Sequence, residues 1–168
     1  MTKSILIIGG TGAQGSVVVQ HLASTGSYEL KCITRDTESP QAKELAAIPN
    51  VSLLAGGYDE DVLTEAIKGM DYVWVNTNGF AMGEQAETYW GIRIFQLSVR
   101  AGVKHLVYSG LDSAYKRSGY NPDLRIGHFE GKARVSGKTG MICTASNSNL
   151  CLRVDVRSAQ DSDGMDCH

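Results

Sequence analysis

The sequence predicts an α/β fold built on a doubly wound parallel sheet. Three observations carry this. Five short apolar runs alternate with four stretches of helical periodicity, strand first. The runs are nearly continuous in apolar residues, as in strands buried on both faces. A glycine-rich loop, Gly9-Gly10-Thr11-Gly12-Ala13-Gln14-Gly15, joins the first run to the first helix. Strict alternation of strand and helix predicts a parallel sheet covered on both sides. Right-handed crossovers then leave the doubly wound topology.

The elements follow in order. Ser4 to Ile8 is the first strand. Val17, Val18, Leu22 and Ala23 carry helical spacing, and this helix stops near Gly26. Leu30 to Thr34 is the second strand. Ser39-Pro40 supplies a cap and a first-turn proline for a short helix to Ala47. Val51 to Ala55 is the third strand, closed by Gly56-Gly57. Val62, Leu63, Ala66 and Ile67 form one face of the next helix, which Gly69 ends. Tyr72 to Val75 is the fourth strand. Ala86, Trp90, Ile94, Leu97 and Ala101 are spaced 4, 4, 3 and 4 and predict a helix over Glu84 to Ala101. His105 to Tyr108 is the fifth strand.

After Val135 the pattern fails. Residues 1–135 are therefore expected to form the domain, and residues 136–168 an atypical, poorly ordered tail. Within that tail only Leu150 to Val156 has the makings of a strand. Val135-Ser136 can be encoded by an intron-donor sequence, so the tail is expected to be read-through of a retained intron or a mispredicted exon, with a natural short form as the alternative.

Composition narrows the function. Sixteen Lys+Arg against eighteen Asp+Glu argue against a basic nucleic-acid binder. No apolar run approaches the roughly 18–20 residues of a membrane span. The start of the chain lacks a secretory apolar region. Cys32, Cys143, Cys151 and Cys167 show no C-x-x-C pair, so no zinc or redox motif is assigned. A cytoplasmic location, extending to the nucleus, is expected.

The glycine loop matches G-x-G-x-x-G in the strand-to-helix context that a dinucleotide requires. The first glycine permits a sharp turn, Gly12 leaves room for a pyrophosphate, and Gly15 permits close packing. The helix N-terminus offers N–H groups and the positive end of its dipole. Thr11 and Gln14 can add side-chain hydrogen bonds. Arg35 ends the second strand, twenty positions after Gly15, where an Asp or Glu would favour NAD. Its charge and fork geometry match a 2′-phosphate, which favours NADP(H); the adjacent Asp36 complicates that reading. Asn76-Thr77-Asn78-Gly79 lies past the fourth strand, where the nicotinamide-side ribose would lie. No tyrosine is followed four residues later by lysine, so the tyrosine-lysine catalytic pair of short-chain dehydrogenases is absent. Gly137-Lys138-Thr139 lacks the earlier glycine of a phosphate loop, because Lys132 stands there. No catalytic residue and no metal ligand is assigned.

With Thr34-Arg35, Thr77-Asn78, His105 to Leu111 and His128-Phe129-Glu130-Gly131-Lys132, the glycine loop makes residues 3–135 resemble the NmrA-like proteins. These are atypical short-chain dehydrogenase/reductases with an NAD(P)-binding Rossmann domain. The resemblance implies that Gly9, Gly10, Thr11, Gly12, Ala13, Gln14, Arg35, Thr77, Asn78 and Lys132 line an NADP cofactor. It implies either a redox sensor or regulator working through a protein partner, or a small-molecule reductase using a lysine; whether the chain is an enzyme stays open. The resemblance implies a chain nearly twice as long that continues into a C-terminal substrate domain, most of which is expected to be lacking here. The apolar face so left is expected to favour a homo-oligomer. Many relatives carry an acidic residue after the third strand; Gly57 stands at that position.

Overall fold

A computed structural model of the chain describes residues 2–139 and 152–155. The first half is β1 (Lys3–Ile8), α1 (Ala13–Ser24), β2 (Tyr28–Thr34), α2 (Pro40–Ala46), β3 (Val51–Ala55) and α3 (Glu60–Ile67). The second half is β4 (Tyr72–Val75), α4 (Gly79–Arg100), β5 (His105–Tyr108), α5 (Ala114–Arg117), α6 (Gly127–Lys138) and β6 (Leu152–Asp155). The strands lie in the order β3-β2-β1-β4-β5-β6. β1 to β5 are mutually parallel, and β6 runs antiparallel to β5. This is the doubly wound Rossmann arrangement that the alternation predicts, with one antiparallel strand added at the edge.

The continuous apolar runs have the cause expected of them. In β1, Leu6 and Ile8 join the core beneath α3, α4 and α6, with Leu63, Ile67, Val73, Ile94 and Val135. Ile5 and Ile7 point the other way, into a second core with Val19, Leu30, Cys32 and Leu45 beneath α1 and α2. Successive side chains alternate faces, so a strand buried on both must be apolar throughout. Burial pushes the Cys32 thiol up to about 12, which leaves it an inert core group.

Caps set the helix starts. The Ser39 side chain accepts from the Ala42 N–H, with Pro40 in the first turn. Asp59 accepts from the N–H groups of Asp61 and Val62 and begins α3. Asn78 accepts from Ala81 and begins α4 five residues earlier than the apolar spacing indicates. That extra turn is set off by Gly83, whose φ of 79° breaks the helix before Glu84.

α6 runs past Val135 to Lys138, three residues beyond the boundary that the sequence pattern suggests. Leu152–Asp155 pairs with β5 within the stretch expected to be able to form a strand. For residues 140–151 and 156–168 the expected poor order, and with it Cys143, Cys151 and Cys167, lies outside the described residues. Among the described residues no helix is long and apolar enough to cross a membrane.

Candidate functional site

The carboxyl ends of β1, β2, β4 and β5 border a cleft of about 790 Å³. Ligands of open α/β sheets bind at this end of the strands. The glycine loop forms its floor. Gly9 takes φ +88°, and a Cβ there would lie 2.4 Å from the Asn76 carbonyl oxygen. The Gly12 N–H donates to the Gly9 carbonyl at 3.2 Å, and the Ser16 N–H donates back to Gly12 at 2.9 Å. A Cβ on Gly15 would stand 2.1 Å from the Gly9 oxygen and 2.7 Å from Gly10 Cα. The third glycine is therefore required by the turn itself. Gly12 differs: its nearest neighbour for a Cβ is the Gly9 oxygen at 3.4 Å, an ordinary contact. The protein leaves it bare on the cleft side, as N-cap of α1.

Arg35 forms one wall. It is exposed and makes no ion pair among the described residues. Asp36, its acidic neighbour, also lines the cleft and accepts from the Glu38 N–H at 2.9 Å. Gly57 backs the arginine: a Cβ there would meet Arg35 Cγ at 3.3 Å. Tyr58 follows, its phenol pushed up to about 12 by burial, with Glu87 adding to the effect.

The opposite wall is a polar cluster around Lys132, which is only 8% exposed. Its Nζ donates to Asn76 Oδ1 at 2.9 Å, the Thr77 carbonyl at 3.0 Å and the Ser109 carbonyl at 3.0 Å. Glu87 Oε1 lies 3.5 Å from it. Burial pulls the ammonium below its usual value, and the Glu87 carboxylate opposes that. Thr77 Oγ1 donates to Glu87 Oε1 at 2.7 Å and lies 2.9 Å from the Tyr108 hydroxyl. Burial raises the Tyr108 phenol well above its usual range. Gln14 Oε1 accepts from Asn76 Nδ2 at 3.0 Å and from Ser109 Oγ at 2.8 Å, tying the glycine-loop helix to β4 and β5.

The structure thus brings Gly9, Thr11, Gly12, Ala13, Gln14, Arg35, Thr77, Asn78 and Lys132 to one cleft. Gly10 is the exception. It lies under the turn, where a Cβ would meet Cys32 Sγ at 3.2 Å, and does not line the cleft. Both Thr77 oxygens are engaged within the wall, the carbonyl by Lys132 and the hydroxyl by Glu87, Tyr108 and Lys132. Asn78 caps α4. Sequence reasoning missed Glu87, and it singled out Asn76 and Ser109 without their link through Gln14. At the mouth, the exposed Phe80 ring meets His128 with centroids 4.2 Å apart.

The NmrA-like family model matches residues 1–144. The NmrA-like family domain-containing oxidoreductase himF of Aspergillus japonicus is 41% identical over 119 residues, which is 68% of this chain and 36% of the relative. A family protein of Dictyostelium discoideum is 31% identical over 128 residues, covering 74% of this chain and 42% of its own. The chain spans about two fifths of the length of such relatives. In fold it superposes on the crystal structure of NmrA, a negative transcriptional regulator, in complex with NADP. The TM-score is 0.72 at 24% identity, over 82% of this chain and 41% of that one. A short-chain dehydrogenase/reductase from Veillonella parvula in complex with NADP gives 0.63 at 14% identity, covering 82% and 63%. With six sevenths of its length under the family model, the chain belongs to the NmrA-like family.

Proposed function

We propose that the cleft binds NADP(H) and that the chain is a redox or nucleotide sensor that acts through a protein partner. The dinucleotide half rests on fit. A bare Gly12 opens α1 toward the cleft, and Arg35 stands at the end of β2 in no ion pair among the described residues, with one oxygen of the neighbouring Asp36 held by the Glu38 N–H. The helix start would hold the pyrophosphate and the guanidinium a 2′-phosphate. Bound NADPH would supply hydride chemistry.

One observation carries the sensor half. An ammonium has three hydrogens. Those of Lys132 are shared among Asn76 Oδ1, the Thr77 carbonyl and hydroxyl oxygens and the Ser109 carbonyl. The lysine holds the walls together and has no hydrogen left to give a substrate. A regulator of this kind would work in the cytoplasm or nucleus. A second reading, an NADPH-dependent reductase acting on a small molecule, is favoured by relatives named oxidoreductases, himF among them.

Two measurements test this. In calorimetric titrations the wild-type chain is expected to prefer NADP+ over NAD+. Arg35→Ala is expected to weaken NADP+ by roughly 10- to 100-fold, the worth of a charge-assisted hydrogen bond of about 1.5–3 kcal/mol, and to leave NAD+ nearly unchanged. Equal losses for both would remove Arg35 from the site. Incubated with NADPH and a panel of aldehydes, ketones, enones and quinones, the protein is expected to leave the cofactor unoxidised. Sustained oxidation with any of them would select the reductase reading.

A further inference from the structure

Behind the cleft wall sits a carboxylate that the dinucleotide reading does not use. Glu87, on α4, is 0% exposed. Its Oε1 receives the Thr77 hydroxyl hydrogen and faces the Lys132 ammonium. Its Oε2 has no hydrogen-bond partner among the described residues. The space for that oxygen is made by two glycines. A Cβ on Gly79 would stand 2.1 Å from it, and one on Gly131 2.8 Å. A buried carboxylate is strongly unfavourable unless an opposite charge answers it. Lys132 is the cation in reach.

We propose that Glu87 is the positioning residue of the cleft: its carboxylate supplies the counter-charge that fixes the Lys132 ammonium against Asn76, Thr77 and Ser109, and it turns the Thr77 hydroxyl inward. Thr77 has one hydroxyl hydrogen, and Glu87 takes it. Tyr108 must then donate to Thr77, so donation runs from Tyr108 through Thr77 to Glu87. The Tyr108 hydrogen is thereby held inside the wall. Two glycines, one on α4 and one on α6, let the carboxylate fit between the helices without displacing either.

Few other groups compete for Lys132. From β5, the Tyr108 ring centre lies 5.3 Å away. From the turn before α3, Tyr58 faces Glu87. On α6 itself, Glu130 is tied to Ser113 and His128 packs against Phe80. Glu87 is thus the counter-charge whose removal Lys132 would feel. A lysine whose folded value lies below its unfolded one carries fewer protons when folded. Stability is then reduced below the folded value and recovers as pH climbs toward the unfolded one.

The test compares urea midpoints across pH for the full chain, Glu87→Gln, and Glu87→Gln with Lys132→Met. In Glu87→Gln the midpoint is expected to be lowest on the acid side of the lysine's titration and to begin rising at lower pH than in the wild type. The rise should vanish in the double variant. A midpoint lowered equally at every pH would mean that Glu87 only fills space, and would overturn the proposal. Should Glu87→Gln fail to fold while the double variant folds, the uncompensated ammonium is the cause and the proposal stands; if both fail, it falls. A second arm rests on the dinucleotide reading. NADP+ affinity of Glu87→Gln should fall with rising pH, whereas the wild type stays flat over the same range; parallel profiles would overturn the proposal. A wild-type chain that ignores NADP+ yet shows the midpoint difference would retire the dinucleotide reading and keep the ion pair.

Discussion

Lys132→Met is expected to destabilise the chain more than any other single change in the cleft. The substitution keeps most of the side-chain volume and removes the charge. Glu87 would remain fully buried, with Thr77 as its hydrogen-bond donor and no cation beside it. Breaking a buried pair from one side costs about 3–5 kcal/mol. For a chain of this size that corresponds to a melting temperature lowered by roughly 6–20 °C. Three wall oxygens, on Asn76, Thr77 and Ser109, lose their donor at the same time. Calorimetric melting of the variant checks this. A change of a degree or two would mean that Lys132 is a solvated cleft residue and that the wall stands without it.

Gly15→Ala is expected to have the second largest effect. Its new Cβ would meet the Gly9 oxygen at 2.1 Å, Gly10 Cα at 2.7 Å and the Gly9 carbonyl carbon at 2.8 Å. All three are backbone atoms, so no flexible side chain can yield. The turn must open, at about 1–3 kcal/mol or more, and the phosphate cradle opens with it. Gly12→Ala is the informative contrast. Its Cβ would meet nothing closer than 3.4 Å, so the fold should tolerate it within about 1 kcal/mol. The methyl group would nevertheless project where a pyrophosphate must approach. The expected result is a pair of opposites: Gly15→Ala loses stability and NADP+ binding together, and Gly12→Ala loses binding alone. Denaturant titration beside nucleotide titration separates the two. A Gly12→Ala chain that binds NADP+ like the wild type would place the ligand elsewhere.

The parts legible in the sequence were those that speak through hydropathy and glycine. β1 to β5 were readable because strands buried on both faces must be apolar at every position. The glycine loop was readable because it combines a positive φ, a backbone clash and an open face within seven residues. α6 was not readable as a helix. Its buried stripe is Glu130, Gly131, Lys132, Val135 and Ser136, which is polar or small at four of five positions. Glu87 escaped for the same reason. The apolar spacing put Ala86, Trp90, Ile94 and Leu97 on the inner face of α4; the structure buries Ile94 and Leu97 and packs Trp90 against the core, and it buries Glu87, Gly91 and Ser98 beside them. Gly91 sits there because Val135 of α6 lies against it, 2.5 Å from where a Cβ would be. Where two helices meet through glycines and an ion pair, a hydrophobic pattern has nothing to report. The usable signal was the row Thr77, Glu87, Tyr108 and Lys132, and only the fold brings it together.

The strand order also bears on how the cleft comes into being. β1 and β4 are neighbours, yet Ile5 pairs with Tyr72, and the Ser4 N–H reaches Asp71 across 67 positions. The glycine loop and Arg35 belong to the first three strands; Asn76, Ser109 and Lys132 belong to the rest. Gln14 stitches the seam through its bonds to Asn76 and Ser109. Such distant pairings form only after the entropy of closing a long loop has been overcome. The pocket is therefore absent from either half alone and arises when they dock. A fragment ending before β4 would keep the whole glycine signature and have no site.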